Sequence, residues 1–293
     1  MKDQAENLRQ LVNNRDDRQP TISTLNTRIL TITSGKGGVG KTNFVINLGI
    51  LLQKMGKKVL IIDADFGLGN VDIMLGLSSP YNLAHVIFND VDISDVIIEG
   101  PAGIMILPGG NGLLELVNLK PKQLESFIKK LEKLDSTVDI ILIDTGAGLS
   151  TNNIKMILAA NEVILVTTPE PTSLMDAYSV IKIVSQIEQD IHFNLVMNKV
   201  ENIDDANNNI KNIQKAGKRF LNVEISTLGL LDNSSVVSKS IKTQCPFVLE
   251  YPHSKISKQL KSIVNSLMGS DNGKNTINMS TYICRLFKLF ENR

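Results

Sequence analysis

The chain has 293 residues, and its 31 Lys and Arg nearly balance its 30 Asp and Glu. Such a balance gives no global field that attracts nucleic acid, and the absence of Trp with only 4% aromatic residues disfavours single-strand binding by base stacking. No apolar run reaches the roughly 18 residues of a membrane span. Cys245 and Cys284 form no C-x-x-C pair, and the charged N-terminus has no signal-peptide core. We therefore expect a cytoplasmic protein without a DNA partner.

Residues 1–27 form a polar extension ahead of the first predicted strand. Within it, DQAENLRQLV places its apolar residues on one face of a short helix, and Asp3 with Glu6 forms a candidate capping box. A helix this short is marginal in water by itself. We therefore expect it to bind a surface, either on its own domain or on another protein.

The stretch from Ser34 to Thr42, SGKGGVGKT, matches the phosphate-binding P-loop pattern G-x-x-x-x-G-K-[ST]. It lies between the strand pattern RILTIT and a segment whose apolar residues recur at helical spacing. The glycines let backbone amides surround phosphate oxygens, while Lys41 reaches the β/γ-phosphates and Thr42 ligates Mg²⁺. The predicted nucleotide-binding residues of the loop are Gly35, Lys36, Gly37, Gly38, Val39, Gly40, Lys41 and Thr42.

A second lysine, Lys36, directly follows the first glycine of this loop. The sequence KGGVGKT resembles the deviant Walker A motif of the MinD/ParA ATPases. Together with the alternation of strand and helix patterns, this resemblance implies a doubly wound, mostly parallel α/β domain over residues 28–268 that binds ATP and Mg²⁺ as a homodimer. It also implies that Lys36 reaches the partner's nucleotide, a role like that of an arginine finger, worth roughly 10³–10⁵ in rate. Lys36 and Lys41 are thus predicted catalytic residues.

Two buried-strand patterns are followed by acidic residues, where α/β sheets hold ligands. VLII precedes Asp63 and Asp65, and IILI precedes Asp144 in a Walker B pattern that would hold Mg²⁺ through a coordinated water. The first of these segments resembles the family's switch I, which implies that Asp65 orients or deprotonates the attacking water. Asp63 would support Mg²⁺ or the loop geometry. The predicted metal site therefore comprises Thr42, Asp63 and Asp144.

The resemblance implies three further nucleotide contacts. Glu170 matches a Pro-Glu step near the partner's nucleotide, with a plain loop carboxylate as the alternative. Asn198 matches the adenine-reading Asn, whose amide can both donate and accept. Asp232 lies in the next family block, where Leu231 replaces the usual proline. The segment GAG resembles switch II, with Gly146 in place of a proline.

The C-terminal segment combines a polar linker at residues 269–279 with an amphipathic helix at 280–293. Its large apolar residues span roughly 160° of the helical wheel, with Arg285 and Lys288 opposite. A basic amphipathic helix of this kind favours peripheral attachment to the inner face of the cell membrane, as in MinD-like proteins; docking on its own domain is the alternative. The predicted membrane-facing residues are Tyr282, Ile283, Leu286, Phe287, Leu289 and Phe290.

The N-terminal DQAENLR resembles the activator motif of FlhG-type flagellar regulators, which contacts the GTPase FlhF. This resemblance implies an FlhF-type GTPase partner bound through Asp3, Gln4, Leu8 and Arg9, and an ATP-hydrolysing switch that regulates flagellum number and placement. Flagellar C-ring proteins and a transcriptional regulator are further candidate partners. The alternatives are a MinD-like septum-placing ATPase, which the N-terminal motif disfavours, a ParA-type DNA partition ATPase, and an interaction scaffold with incidental ATPase activity.

Overall fold

A computed structural model describes residues 27–65, 69–89, 91–110, 119, 121–135, 137–269 and 277–291. The predicted N-terminal helix, with Asp3, Gln4, Leu8 and Arg9, lies outside the described residues, as does most of the predicted linker.

Eight strands in the described ranges form a single sheet. They are β1 (Arg28–Ser34), β2 (Val59–Ala64), β3 (Ile98–Glu99), β4 (Met105–Pro108), β5 (Ile140–Ala147), β6 (Glu162–Thr167), β7 (His192–Val200) and β8 (Ile225–Asp232). Their order is β3-β4-β2-β5-β1-β6-β7-β8, and all neighbours are parallel except the β3–β4 pair. The central strands are continuous apolar runs because helices cover both faces of a parallel sheet. The mostly parallel α/β prediction is confirmed.

The described helices divide into two layers around this sheet. They are α1 (Lys41–Lys54), α2 (Val71–Leu75), α3 (Leu83–Phe88), α4 (Ile93–Val96), α5 (Pro121–Asp135), α6 (Thr151–Ala159), α7 (Pro171–Ile187), α8 (Ile203–Ala216), α9 (Ser235–Thr243), α10 (Phe247–Glu250), α11 (Lys255–Gly269) and α12 (Met279–Glu291). One core joins the sheet to α5, α6, α7, α8 and α12, and the other joins it to α1, α10 and α11. The fold is therefore doubly wound.

The strand order places the expected ligand-binding crevice beside β1, near the middle of the sheet. β1 lies between β5 and β6, so the chain order reverses beside it, and this is where α/β sheets form a crevice at the strands' carboxyl ends. Two strands run further than the apolar patterns predicted, because β2 includes Asp63 and β5 includes Asp144. These two residues stand opposite each other in the parallel register.

One buried ion pair fastens the opposite edge of the sheet. The Arg28 guanidinium at the start of β1 donates to both Glu162 carboxylate oxygens at 2.8 Å and to the Leu267 carbonyl of α11 at 3.1 Å. Both charged side chains are buried. A planar guanidinium suits such a forked contact, which ties β1 to β6 and to the end of α11.

The C-terminal helix α12 packs on its own domain, against α5 and α6. Its apolar face belongs to the core, and the Tyr282 hydroxyl donates to the Met156 carbonyl at 3.0 Å. Ile277 and Met279 are also buried, so the predicted linker extends too far. Of the predicted membrane-facing residues, Leu289 is partly buried and the others are buried: Tyr282, Ile283, Leu286, Phe287 and Phe290.

The structure therefore shows the alternative of docking on the domain, and attachment to the membrane stays a prediction. Helical periodicity defines an apolar face but does not identify what covers it. None of the helices in the described ranges has the length and hydropathy needed to cross a bilayer.

Candidate nucleotide-binding site

The glycine loop between β1 and α1 opens into a cavity of about 430 Å³. The ends of other strands complete the lining, with Asp65 after β2, Ala147 at the end of β5 and Asn198 in β7. Within the loop, Gly38 (φ 78°) and Gly40 (φ 92°) adopt left-handed conformations that other residues rarely tolerate. The phosphate loop predicted from the sequence is thus seated at the carboxyl edge of the sheet.

Helix α7 and strand β7 pack closely against the loop. A Cβ on Gly35 would lie 2.3 Å from the Asp176 carbonyl carbon of α7, and a Cβ on Gly40 would lie 2.5 Å from the Asn198 amide nitrogen. Gly37 is different, because a Cβ there would meet only the Ala147 methyl group at 4.0 Å. The requirement for glycine at position 35 therefore comes from packing against α7.

A buried ion pair lies at the base of the cavity. Lys41 Nζ is 2.6 Å from Asp144 Oδ1, and the two side chains are only 7% and 1% exposed. Burial raises the pKa of the Asp144 carboxyl, while the Lys41 ammonium and the Thr42 hydroxyl act in the opposite direction.

The same carboxylate fits the predicted Mg²⁺ site. Asp144 Oδ2 is fully buried and has no hydrogen-bond partner in the part of the chain that the structure describes. An orphaned carboxylate oxygen beside a threonine hydroxyl is the oxygen chemistry that a hydrated Mg²⁺ ion requires. Thr42 and Asp144 are therefore the residues that would hold this ion.

Asp63 organises the loop that follows β2. Its carboxylate accepts backbone N–H groups from Asp65, Asn70 and Val71, at 3.2, 2.8 and 3.1 Å. Burial raises the pKa of Asp63 to about 6, although these amides lower it, and the Asp144 charge adds to the rise. Of the two predicted roles, these contacts support loop geometry, since both carboxylate oxygens are occupied by amides.

Asp65 lies beside the switch II segment. Its Oδ1 atom would be 3.3 Å from a Cβ at Gly146, and the Asn153 amide approaches the same position. Asn153 Nδ2 donates to the Ala147 and Gly148 carbonyls at 3.0 and 3.3 Å. Gly146 therefore leaves room for both side chains. Sequence reasoning missed Asn153, whose only signal was its place in the first turn of α6.

Lys36 contacts α7 of its own chain. Its Nζ atom lies 3.1 Å from Glu170 Oε2 and 3.1 Å from Thr172 Oγ1. The Lys36 and Glu170 side chains are 43% and 62% exposed, and exposed pairs are typically worth no more than about 1 kcal/mol. The pair joins the two residues that the family resemblance placed near a partner's nucleotide, and it can be broken at little cost.

The end of β7 contacts the loop through Asn198 and Lys199, which both line the cavity. Asn198 Nδ2 donates to the Val39 carbonyl at 2.8 Å, and Lys199 Nζ donates to the Gly38 carbonyl at 2.7 Å. Asp232 also lines the cavity, although its carboxylate is bonded to Gln259 and Lys255 of α11. The cavity lining thus contains all the predicted nucleotide-binding residues except Gly35, Lys36 and Glu170. The Lys36 side chain bonds Glu170 instead.

The doubly wound sheet, the glycine loop and the Lys41–Asp144 pair define a P-loop nucleotide-binding protein. Residues 27–197 match a family model described as an AAA domain. The chain is 33% identical to the antiactivator FleN of Pseudomonas aeruginosa, covering 82% of this chain and 86% of FleN. It is 31% identical to the flagellum site-determining protein YlxH of Helicobacter pylori, covering 92% and 91%.

Solved structures of MinD proteins have the same fold. The Aquifex aeolicus MinC:MinD complex matches with a TM-score of 0.67 at 26% identity, covering 84% of this chain and 97% of that one. Pyrococcus horikoshii MinD complexed with Mg-ADP also gives 0.67 at 26% identity, covering 85% and 99%. The chain therefore belongs to the MinD/ParA family of P-loop ATPases, in the group that includes FleN and YlxH.

The packing of the loop gives a matched pair of substitutions. Gly35→Ala is expected to destabilise the protein by roughly 1–3 kcal/mol or more, because the added methyl group overlaps the α7 backbone. Gly37→Ala has open space and should change stability by less than about 0.5 kcal/mol. Urea unfolding of both variants without nucleotide measures the difference. Equal midpoints would show that α7 does not constrain the loop.

Proposed function

We propose that this protein is an ATP-hydrolysing molecular switch that regulates flagellum number and placement. The cluster of Lys41, Thr42 and Asp144 beside a glycine loop carries the ATPase part of this proposal. Similarity to FleN and YlxH over more than four-fifths of the chain supports the flagellar part. ATP is the substrate, and ADP and phosphate are the products.

The described residues have distinct roles in this proposal. Lys41 leaves Asp144 and binds the β/γ-phosphates, while the loop amides surround the phosphate oxygens. Mg²⁺, when bound, neutralises charge that develops on those oxygens, and Thr42 and Asp144 would hold it. Asp65 orients the attacking water at the edge of the cavity, where Asn153 and Gly146 fix the neighbouring backbone.

Dimerisation completes the site. Lys36 can leave Glu170 and Thr172 of its own chain and contact the nucleotide of a second copy, because both of its present partners are exposed. Exposed apolar side chains close to this edge, Leu149 after β5 and Met175 in α7, offer surface for the contact. ATP would favour the homodimer, and hydrolysis would return monomers.

Two substitutions separate the two roles. Lys36→Ala should retain ATP binding but lose ATP-dependent dimerisation and most hydrolysis, because the charge delivered to the partner site is absent. Asp65→Ala should bind ATP and accumulate as a dimer, because only water activation is lost. Size-exclusion chromatography and phosphate release measure both properties, with Lys182→Ala as a control that removes an exposed lysine farther along α7. Normal dimerisation and turnover by Lys36→Ala would contradict the trans role of this lysine.

We also propose that the protein binds reversibly to the inner face of the cell membrane. The apolar face of α12 is buried against α5 and α6, so membrane binding requires this helix to leave its site. One interfacial helix gives only marginal binding. Two helices in a dimer raise avidity by roughly 10²–10⁴, so ATP would control membrane attachment through dimerisation.

Vesicle co-sedimentation tests this coupling. ATP should increase binding to anionic vesicles relative to ADP, and salt should weaken it, because Arg285 and Lys288 contribute charge. Phe287→Glu places a charge in the apolar face and should abolish sedimentation, while Glu291→Gln alters charge at the exposed end of the same helix and should preserve it. Equal sedimentation of the wild-type protein with ATP and ADP would show that nucleotide does not control attachment.

The proposed partner is an FlhF-type GTPase, on the basis of the DQAENLR sequence. A peptide of residues 1–20 should stimulate GTP hydrolysis by that partner, and Gln4→Ala should reduce the effect, because the amide could position a water or contact phosphate. GTP turnover is measured at saturating peptide, with a scrambled peptide as control. Unchanged turnover with the wild-type peptide would contradict this partner.

Flagellar C-ring proteins and a transcriptional regulator are further candidate partners, the latter in keeping with the name antiactivator given to FleN.

A second candidate function is placement of the division septum. The similarity to MinD structures favours it, since the two MinD chains are covered almost completely. The DQAENLR sequence favours the flagellar function instead.

A further inference from the structure

The carboxyl end of β7 departs from regular strand geometry. The register with β8 shifts between Met197 and Val200, and Lys199 adopts the left-handed region with φ 56°. A lysine gains nothing locally from this conformation, which persists only where the surrounding structure imposes it. Irregularities of this kind at a strand end commonly re-aim a side chain near a functional site.

The irregularity directs two successive side chains onto the phosphate loop. Lys199 Nζ donates to the Gly38 carbonyl at 2.7 Å, and Asn198 Nδ2 donates to the Val39 carbonyl at 2.8 Å. Asn198 Oδ1 accepts the backbone N–H of Lys199 at 2.9 Å, which fixes the amide in place. Two consecutive loop carbonyls are therefore held by side chains of β7 that also line the cavity.

Holding a carbonyl also orients an amide. In a planar trans peptide the C=O and N–H groups point in opposite directions, and the described residues contain no cis peptide bond. The Gly38 carbonyl shares its peptide plane with the Val39 N–H, and the Val39 carbonyl shares its plane with the Gly40 N–H. With both carbonyls turned towards β7, these two N–H groups point away from it.

We propose that Lys199 is a positioning residue of the nucleotide site, which holds the Gly38 carbonyl so that the Val39 amide faces the phosphates. This inference rests on the nucleotide binding proposed above.

The test must separate loop positioning from the charge of the lysine. Lys199→Gly tolerates the positive φ and removes only the side chain, whereas Lys199→Arg keeps a donor of similar length. Lys239→Ala is the charge control: it removes an exposed lysine of α9 next to Ser238, which lines the cavity. Each full-length variant is compared with the wild type in two measurements.

The first measurement needs no nucleotide. The Val39 amide ¹⁵N resonance should shift in Lys199→Gly, because the carbonyl of the same peptide group loses its hydrogen bond, and stay near its wild-type position in Lys199→Arg and Lys239→Ala. The second measures binding of ATP, tripolyphosphate and adenosine. Lys199→Gly should weaken ATP and tripolyphosphate by the same factor of about ten and leave adenosine unchanged, while Lys199→Arg should recover most of the loss.

The outcomes are distinguishable. An unchanged Val39 amide resonance in Lys199→Gly overturns the positioning role, whatever the ligands do. Equal weakening of tripolyphosphate by Lys239→Ala and Lys199→Gly, without a change in that resonance, would show that only charge matters and also overturns it. Failure of the wild-type protein to bind ATP would overturn the proposed function instead, and the resonance measurement would still decide whether Lys199 holds the loop.

Discussion

The structure depends on the contact between Lys41 and Asp144, two charges buried together at the base of the cavity. Neither charge could be buried alone without a large desolvation cost, so the contact holds the start of α1 against the end of β5. The register then places Asp63 next to Asp144. Burial raises the pKa of Asp63, and the neighbouring Asp144 charge adds to the rise. Two carboxylates close to one ammonium suit a site that receives a cation.

Features encoded within short stretches could be predicted from the sequence. The loop, the strands before the acidic residues and the parallel sheet follow from glycine spacing and apolar runs, and the structure agrees with them. The contacts of Asn198 and Lys199 with the loop carbonyls could not be predicted, because no local pattern specifies a partner 159 to 161 residues away. The surface that covers α12 could not be predicted either, because the same amphipathic face fits a bilayer or a protein core.

Helix α7 connects the features that bear on the proposed dimer. Its backbone leaves no room for a side chain at Gly35, and its first turn supplies the residues that hold Lys36. Within one chain, Lys36 is therefore held away from its own cavity by a weak, solvent-exposed pair. A lysine held this way needs no refolding of the loop to change partners, because only a side-chain rotation is required.

The contacts of Arg28 with Glu162 and Leu267 define one end of the domain. They bring the start of β1 and the end of α11 together at the amino edge of the sheet. The seven residues of β1 separate that edge from the phosphate loop by roughly 20 Å. Arg28 and Leu267 therefore lie on the side of the domain facing away from the phosphate loop. A protein bound at this amino pole would leave the carboxyl pole open to the second copy proposed above.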